Sequence, residues 1–514
     1  MKTSVAAAVV STAAFASFAA ALPFVQRDVV EGAYDFVVVG GGTAGLTVAS
    51  RLATDTNATI LLLEAGGAPS EYDLPWLNPA QTGELEGSPI DWNFTSQTVK
   101  GVGNREIRQN RGKALGGTSS MNGMTYGRGS KVVIDQWSEL NNDSSWAWDS
   151  VQSYYQKTFQ LVPPNDTSAY RTYDPSLYSS TGGPAFLGYN DYNPPSIDGF
   201  VEACSAINIS AVEDLNDGNN LGVKHELGTF NPLNQTRSSS YTAFYPPAYA
   251  SPNFEGVTHA FVEKIIFDES NGTTRATGVR YSKYDSSGKK RFYTVEANNE
   301  VIVSAGALQS PQLLMVSGVG PRDELEKHGI EVIVENEWVG KNLQETTSSS
   351  LISHAHPNAS TSALYNPTKT DYLAAAEYEY YTNRTGPLTA WDGITGPAFS
   401  FQSLDNDTLI EFGAEDLLNR SSAAHIEMIL WTSAYPNTSM PDLPSPRILD
   451  PKSNYITISV YLLQPLSRGR IGLLSASMED QPAIHLNFYD DYGDMRIHVE
   501  AFKRARKVAA HPAF

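Results

Sequence analysis

Gly40, Gly42 and Gly45, in the run Gly40-Gly-Gly-Thr-Ala-Gly45, have the spacing that lets a backbone turn approach a pyrophosphate. The first glycine makes a tight turn, so that the N–H groups opening the next helix point at the anion. Gly42 admits close backbone approach, and Gly45 lets that helix pack on the preceding strand. Glu64, at the end of the following apolar run, is placed to accept hydrogen bonds from a ribose diol. A second run, Gly112 to Arg128, reads GKALGGTSSMNGMTYGR and is too small and polar to be core. It suits close backbone approach to a bulky polar guest. The chemistry in view is dinucleotide binding, and the glycine spacing alone leaves NAD and FAD both open.

The elements that must hold these residues can be read around them. Tyr34–Val39 is a short apolar run suited to a strand buried on both faces, and Thr59–Leu63 is a second. Between them Leu46, Val48, Ala49 and Leu52 give a helical pattern, completing a strand–turn–helix–strand unit. Residues 69–110 are rich in Gly, Pro, Asn and Asp and read as a long excursion over the ligand; residues 165–200 read as loop-dominated. Strands are expected at Val257–Phe267, Thr277–Tyr281 and Glu300–Ser304, with an apolar helix from Gly306 through Leu313 and Leu314. Past Val339–Leu343 the sequence turns polar, then gives a helical patch near Ala374–Tyr381 and strands at His425–Trp431 and Tyr455–Leu463. A domain transition is placed near residue 345. There is no internal repeat or heptad pattern.

Two segments separate NAD from FAD. Gly112-Lys-Ala-Leu-Gly-Gly-Thr-Ser-Ser-Met-Asn122 and Gly306-Ala-Leu-Gln-Ser-Pro-Gln-Leu-Leu-Met-Val-Ser-Gly-Val-Gly320 resemble the two signatures of the glucose–methanol–choline (GMC) oxidoreductases, FAD enzymes that oxidise alcohols. Asp91-Trp-Asn-Phe94, Val339-Gly-Lys-Asn-Leu-Gln344 and Ser467-Arg-Gly-Arg470 resemble further landmarks, so the likeness runs from about Tyr34 onward. It implies an α/β FAD-binding (Rossmann-like) domain over 33–345 and an α+β substrate domain with an antiparallel sheet over 346–514. It implies that Thr43 and Ala44 contact the pyrophosphate, Glu64 and Ala65 the adenosine end, and Val262 the adenine through its backbone. Thr118, Asn122, Gly123 and Thr125 would line the phosphates and isoalloxazine, and Trp92, Met121 and Met124 are expected among the cofactor-binding residues. Some members tether FAD through a histidine in the first signature; Met121 stands there and has no nucleophilic nitrogen, so FAD is expected to be non-covalent.

The implied reaction is hydride transfer from a primary or secondary alcohol to flavin N5, with oxygen or another acceptor reoxidising FAD. A base near N5 is needed, and histidine suits it. The resemblance puts that histidine beyond Phe514, leaving the catalytic residue unassigned and the last part of the FAD domain outside the chain. His485 and His498 read as structural; His511-Pro512 superficially resembles a His-Pro catalytic pair but follows the helix end directly with only three residues after it, so it is not expected to be the base. The competing readings are an inactive relative, an NAD-dependent dehydrogenase and a non-enzymatic secreted binding protein.

Composition fits a soluble globular protein of 514 residues, and a net charge of −20 argues against nucleic acid or anionic membrane as partner. Lys2, the alanine-rich stretch Val5–Phe18 and the small residues before Leu22 read as an export signal over residues 1–21, with secretion the expected address. About a dozen Asn-x-Ser/Thr triplets, among them Asn57, Asn165, Asn234, Asn271, Asn383 and Asn437, fit a secreted glycoprotein. Cys204, the single cysteine, reads as a small buried hydrophobe. His354-x-His356 has no accompanying Cys/His cluster or HExxH motif, so no metal is expected; no GxSxG elbow points to a hydrolase.

Overall fold

The computed structural model describes residues 31–164, 170–179, 181–270, 272–390, 397–435 and 450–513. The expected leader over 1–21 and the triplets at Asn165, Asn271 and Asn437 lie outside the described residues. β1 (Gly32–Val39) runs through the glycine turn into α1 (Thr43–Asp55), which returns to β2 (Ile60–Leu63). All four residues of β2 and Val37–Val39 of β1 are buried, as parallel strands covered on both faces require. α1 buries Leu46, Ala49 and Ala53 against them, whereas Val48, part of the expected apolar pattern, is exposed.

Next come α2 (Lys131–Asn141), β3 (Gly222–His225), β4 (Phe254–Val257), β5 (Phe261–Asp268), β6 (Arg275–Tyr284), β7 (Lys290–Val303) and α3 (Gly306–Val316). The first sheet has the order β4-β2-β1-β7-β6-β5. Its β4, β2, β1 and the end of β7 are mutually parallel, while β7, β6 and β5 form an antiparallel meander. The run Val257–Phe267, expected as one strand, is two. His259 has a φ of 52° and its Nε2 lies 2.9 Å from Glu71 Oε2. A left-handed residue cannot continue a strand, so the chain leaves β2 there and begins pairing with β6 at Phe261.

The second sheet holds β8 (Ser348–His354), β9 (Ala398–Gln402), β10 (Ile426–Trp431) and β11 (Tyr455–Leu462) in the order β8-β11-β10-β9-β3, every pair antiparallel. Alternation gives it two apolar faces. Ile426, Met428 and Leu430 share a core with Ile497, Ala501 and Ala505 of α4 (Tyr492–Ala509), while Ile429 and Trp431 face the other way with Phe399. β3 reaches this sheet from residues 222–225, and Ile471, Leu473 and Ile484 return to the core of the first sheet. The expected transition near residue 345 is therefore not a single crossing. Residues 69–110 form short turns and a two-residue strand pair, and the segment expected to be loop up to 200 already enters a helix at Ser196. No helix among the described residues is long and apolar enough to cross a membrane.

Candidate active site: a dinucleotide cleft

A cleft of about 520 Å³ opens at the C-terminal ends of β1, β2 and β7, where the chain leaves β1 for neighbours on both sides. Open α/β sheets bind ligands at such switch points. Gly42, Thr43 and Ala44 bring the start of α1 to its wall. No side chain caps that start and its first turn has no acidic residue, so its N–H groups are left for an anion.

The glycines serve first to let backbone meet backbone. A Cβ on Gly45 would lie 1.9 Å from the carbonyl oxygen of Gly40, and one on Gly117 would lie 2.6 Å from Gly42 Cα. The two polar runs thus pack directly on one another. A Cβ on Gly42 meets only Gly117 Cα, at 3.7 Å, which leaves its cleft side open.

Glu64 braces the same turn. One carboxylate oxygen accepts from Gly41 N at 2.7 Å and the other from Gly66 N at 2.8 Å. The expected ribose acceptor is therefore committed to the backbone on both oxygens, while still lining the cleft through its remaining surface. Burial pushes its carboxyl up from 4.5 to about 7 against those hydrogen bonds. The folded apoprotein then keeps a proton that the unfolded chain releases near 4.5. The associated stability is full below that pH and is lost as pH rises to about 7. The loss from this group should be roughly 3 kcal/mol. Urea midpoints across that range should fall in the apoprotein, and Glu64→Gln should reduce the slope without abolishing it, since burial also raises Glu226 and Glu427; an unchanged slope in the variant would show the Glu64 carboxylate ionised throughout.

Of the residues predicted from sequence, Gly40, Gly42, Thr43, Ala44, Glu64, Ala65, Trp92, Thr118 and Val262 line the cleft. Gly45 lies behind the turn. Met121–Thr125 are not among the residues lining this cleft, and within the stretch Met121, Gly123 and Met124 are buried while Asn122 and Thr125 are half-buried. Met121 is buried in the core that contains Leu46 and Leu115, and Met124, at a φ of 62°, is buried against Phe399 and Trp431. Asn122 Oδ1 accepts from Arg237 Nη1 at 2.8 Å and from Met124 N at 3.2 Å. Gly123 is buried between them and Thr125 bridges to Gly228. This segment joins the cleft to the second sheet.

Sequence reasoning missed Phe94, Arg111, Phe261, Ser304, Gln309 and Met478 as cleft residues. Phe94 and Gln309 lie in motifs already singled out, so a signal existed for them; nothing near Met478 gave one. Among the described residues no histidine lines the cleft. His498 is held by Thr347 Oγ1, Ser349 Oγ and Tyr489 OH at 2.9 to 3.1 Å, and burial pulls its imidazole down to about 4. His485 sits in a short hairpin opposite Arg470, and His511 accepts from Ala513 N. His354 packs at a tilt against Tyr455, His356 caps the 357–359 turn, and Cys204 is buried in the core of the second sheet.

The fold, the switch-point cleft and the open helix start define a dinucleotide-binding protein. The GMC oxidoreductase family model matches residues 34–347. "Dehydrogenase pkfF" of Emericella nidulans is 36% identical over 493 residues, covering 93% of this chain and 77% of that protein. Patulin synthase of Aspergillus clavatus is 34% identical over 500 residues, covering 92% and 75%. Among solved structures, a variant of the formate oxidase of Aspergillus oryzae RIB40 superposes with a TM-score of 0.81 at 28% identity, covering 95% of this chain and 83% of that one. A fungal aryl-alcohol oxidase at 23% identity and a TM-score of 0.77, covering 93% and 83%, shares the fold. The chain belongs to the GMC oxidoreductase family.

FAD is that family's cofactor, and the residues present fit it. The start of α1 would hold the pyrophosphate, the open side of Gly42 would admit it, and the ends of β2 and β5 would flank the adenosine end through Glu64, Ala65 and Val262. Trp92, with Lys113 Nζ 4.7 Å from its ring centroid, closes one wall.

Proposed function

We propose that this protein oxidises a primary or secondary alcohol to the carbonyl, passing the electrons to oxygen or another acceptor. When bound, FAD supplies the acceptor for the hydride that leaves the alcohol carbon. This chain's own residues bind and orient. The start of α1 fixes the pyrophosphate, Glu64 holds the turn that presents it, and Trp92 and Phe94 keep one side of the cleft apolar. The observation that carries the reading is the Met124 junction. The loop that leaves the cleft at Thr118 buries Met124 on the aromatic face of the second sheet, beside Phe399, Ile429 and Trp431. A side chain locked there couples the cofactor loop to the sheet that would face the substrate. The names of the relatives, a dehydrogenase and an oxidase among them, support redox chemistry without choosing the acceptor.

Anaerobic titration of the flavin-loaded protein with aryl, aliphatic and sugar alcohols tests this. At least one alcohol should bleach the visible flavin band with the carbonyl formed in equal amount. A flavin reduced by dithionite but by no alcohol would sink the reading.

We also infer that FAD is held without a covalent bond, because Met121 is apolar and buried, and that the chain is exported. The leader-like residues 1–21 and the density of glycosylation triplets support export. Recovery of the chain from the culture medium rather than the cell lysate checks it.

A further inference from the structure

We propose that Asn142 carries an N-linked oligosaccharide that covers an exposed aromatic pair, Trp137 and Trp146. The proposal rests on export, and its first support is a pattern over the whole chain. Nine Asn-x-Ser/Thr triplets fall in the described residues, at Asn57, Asn93, Asn142, Asn208, Asn234, Asn358, Asn383, Asn406 and Asn419, and all nine asparagines are exposed. Of the nineteen other described asparagines, seven are exposed. Triplets arising by chance would follow the second proportion. Attachment of a large hydrophilic group demands the first, because such a group cannot be accommodated in a core.

The second support is local. α2 ends at Asn141, and Asn142 adopts the left-handed conformation, φ 50° and ψ 43°, that stops the helix. Its backbone N–H is used by Glu139 O at 3.2 Å, but its side-chain amide makes no hydrogen bond among the described residues. Asp143 and Ser144 complete the triplet, and Asp143 Oδ1 accepts from Ser145 N, fixing the turn that presents it. Around this turn lies an apolar patch that nothing among the described residues covers. Trp137 is 51% exposed, Leu140 84% and Trp146 48%, and the two indoles meet edge to face at 6.2 Å. Large apolar side chains grouped at a surface call for a cover. Indoles combine a broad apolar face with a polar N–H, which matches a pyranose ring's C–H face and hydroxyl rim.

The step transfers an oligosaccharide from a lipid diphosphate carrier. A bond forms between Asn142 Nδ2 and the anomeric carbon, and the anomeric C–O bond to the diphosphate breaks. The lipid diphosphate leaves with the electron pair, and the amide nitrogen releases one proton.

The test uses the full chain with its own residues 1–21, expressed in a yeast host and purified from whichever of medium and lysate holds it. After enzymatic deglycosylation in ¹⁸O-water, mass spectrometry of the Asn142 peptide should show conversion to ¹⁸O-labelled aspartate. Label at other triplets with an unmodified Asn142 overturns this proposal alone; a chain with no label anywhere overturns export with it. Ser144→Ala, which removes the acceptor signal and keeps Asn142, should raise hydrophobic-dye binding about twofold and make the tryptophans more open to acrylamide quenching. A glycosylated wild type that matches this variant in both measurements would show that the sugar does not cover the pair.

Discussion

Gly45→Ala is expected to lower folding stability by roughly 3 kcal/mol and to leave the purified protein without flavin. The added Cβ would meet Gly40 O at 1.9 Å, with Gly40 C at 3.1 Å and Ser304 Cβ at 3.2 Å. The first neighbours are backbone atoms of the turn itself, so no side-chain rotation relieves the clash. Either α1 moves off the sheet or the turn opens, and both displace the N–H groups that face the cleft. Gly117→Ala should act in the same direction, since its φ is +51° and its Cβ would press on Gly42 Cα. Gly127 offers the control. It lies in the same polar run, no atom comes within 4 Å of its Cβ, and its φ is not positive. Gly127→Ala should change stability by less than about 0.5 kcal/mol and keep full flavin content. Equal behaviour of Gly45→Ala and Gly127→Ala in urea unfolding and in flavin absorbance would refute the packing argument.

Arg237→Leu is expected to cost about 3 kcal/mol and to loosen the cleft from the second sheet. The guanidinium is 1% exposed and donates to Trp76 O at 2.8 Å, to Ser119 O at 3.2 Å and to Asn122 Oδ1 at 2.8 Å. Burial pulls it down from 12.5 to about 9, and no carboxylate pairs with it among the described residues. Two effects therefore oppose each other. Removing the cation relieves its desolvation, but it strips donors from three acceptors that hold the Ser119–Met124 segment in place. The second should win, because Trp76 O and Ser119 O would be left buried without the Arg237 donors, while Asn122 Oδ1 would keep only Met124 N; against this, Arg237 Nη2 is itself buried without a partner. The variant should unfold at lower urea and release flavin faster. A variant as stable as the wild type would show that desolvation of Arg237 outweighs its hydrogen bonds.

What could be read from the sequence was local in origin. β1, α1 and β2 are contiguous, their apolar runs are buried, and the turn between them is fixed by glycine spacing. The antiparallel sheet was visible as His425–Trp431 and Tyr455–Leu463 because its strands bury both faces. The break at His259 was not visible, since the groups it meets, Glu71 and Gly66 O, are far away in sequence. β7 extends back to Lys290; burial alternates only over Thr294–Asn298, and the residues before it are exposed or half-buried. The helix Ser240–Ala250 contains Pro246 and Pro247, which hide its pattern, and it is held by packing on α1. The site divided in the same way. Residues at strand ends and the helix start were found by spacing. Met121–Thr125 were placed on the cofactor by resemblance; within that stretch Met121 and Met124 are buried in two different cores, while Asn122 and Thr125 are half-buried. Glu64 was found, but its two backbone partners became visible only once Gly41 and Gly66 were brought to either side of it.

The central claim is that the cleft between β1, β2 and β7 holds FAD without a covalent bond. The direct measurement is heat or acid denaturation of the purified full chain, followed by chromatography of the supernatant and absorbance of the pellet. FAD in the supernatant, equimolar with the chain and with no flavin retained on the protein, is the predicted result. NAD in its place, flavin that stays with the pellet, or a chain that takes up no FAD on reconstitution would contradict the account.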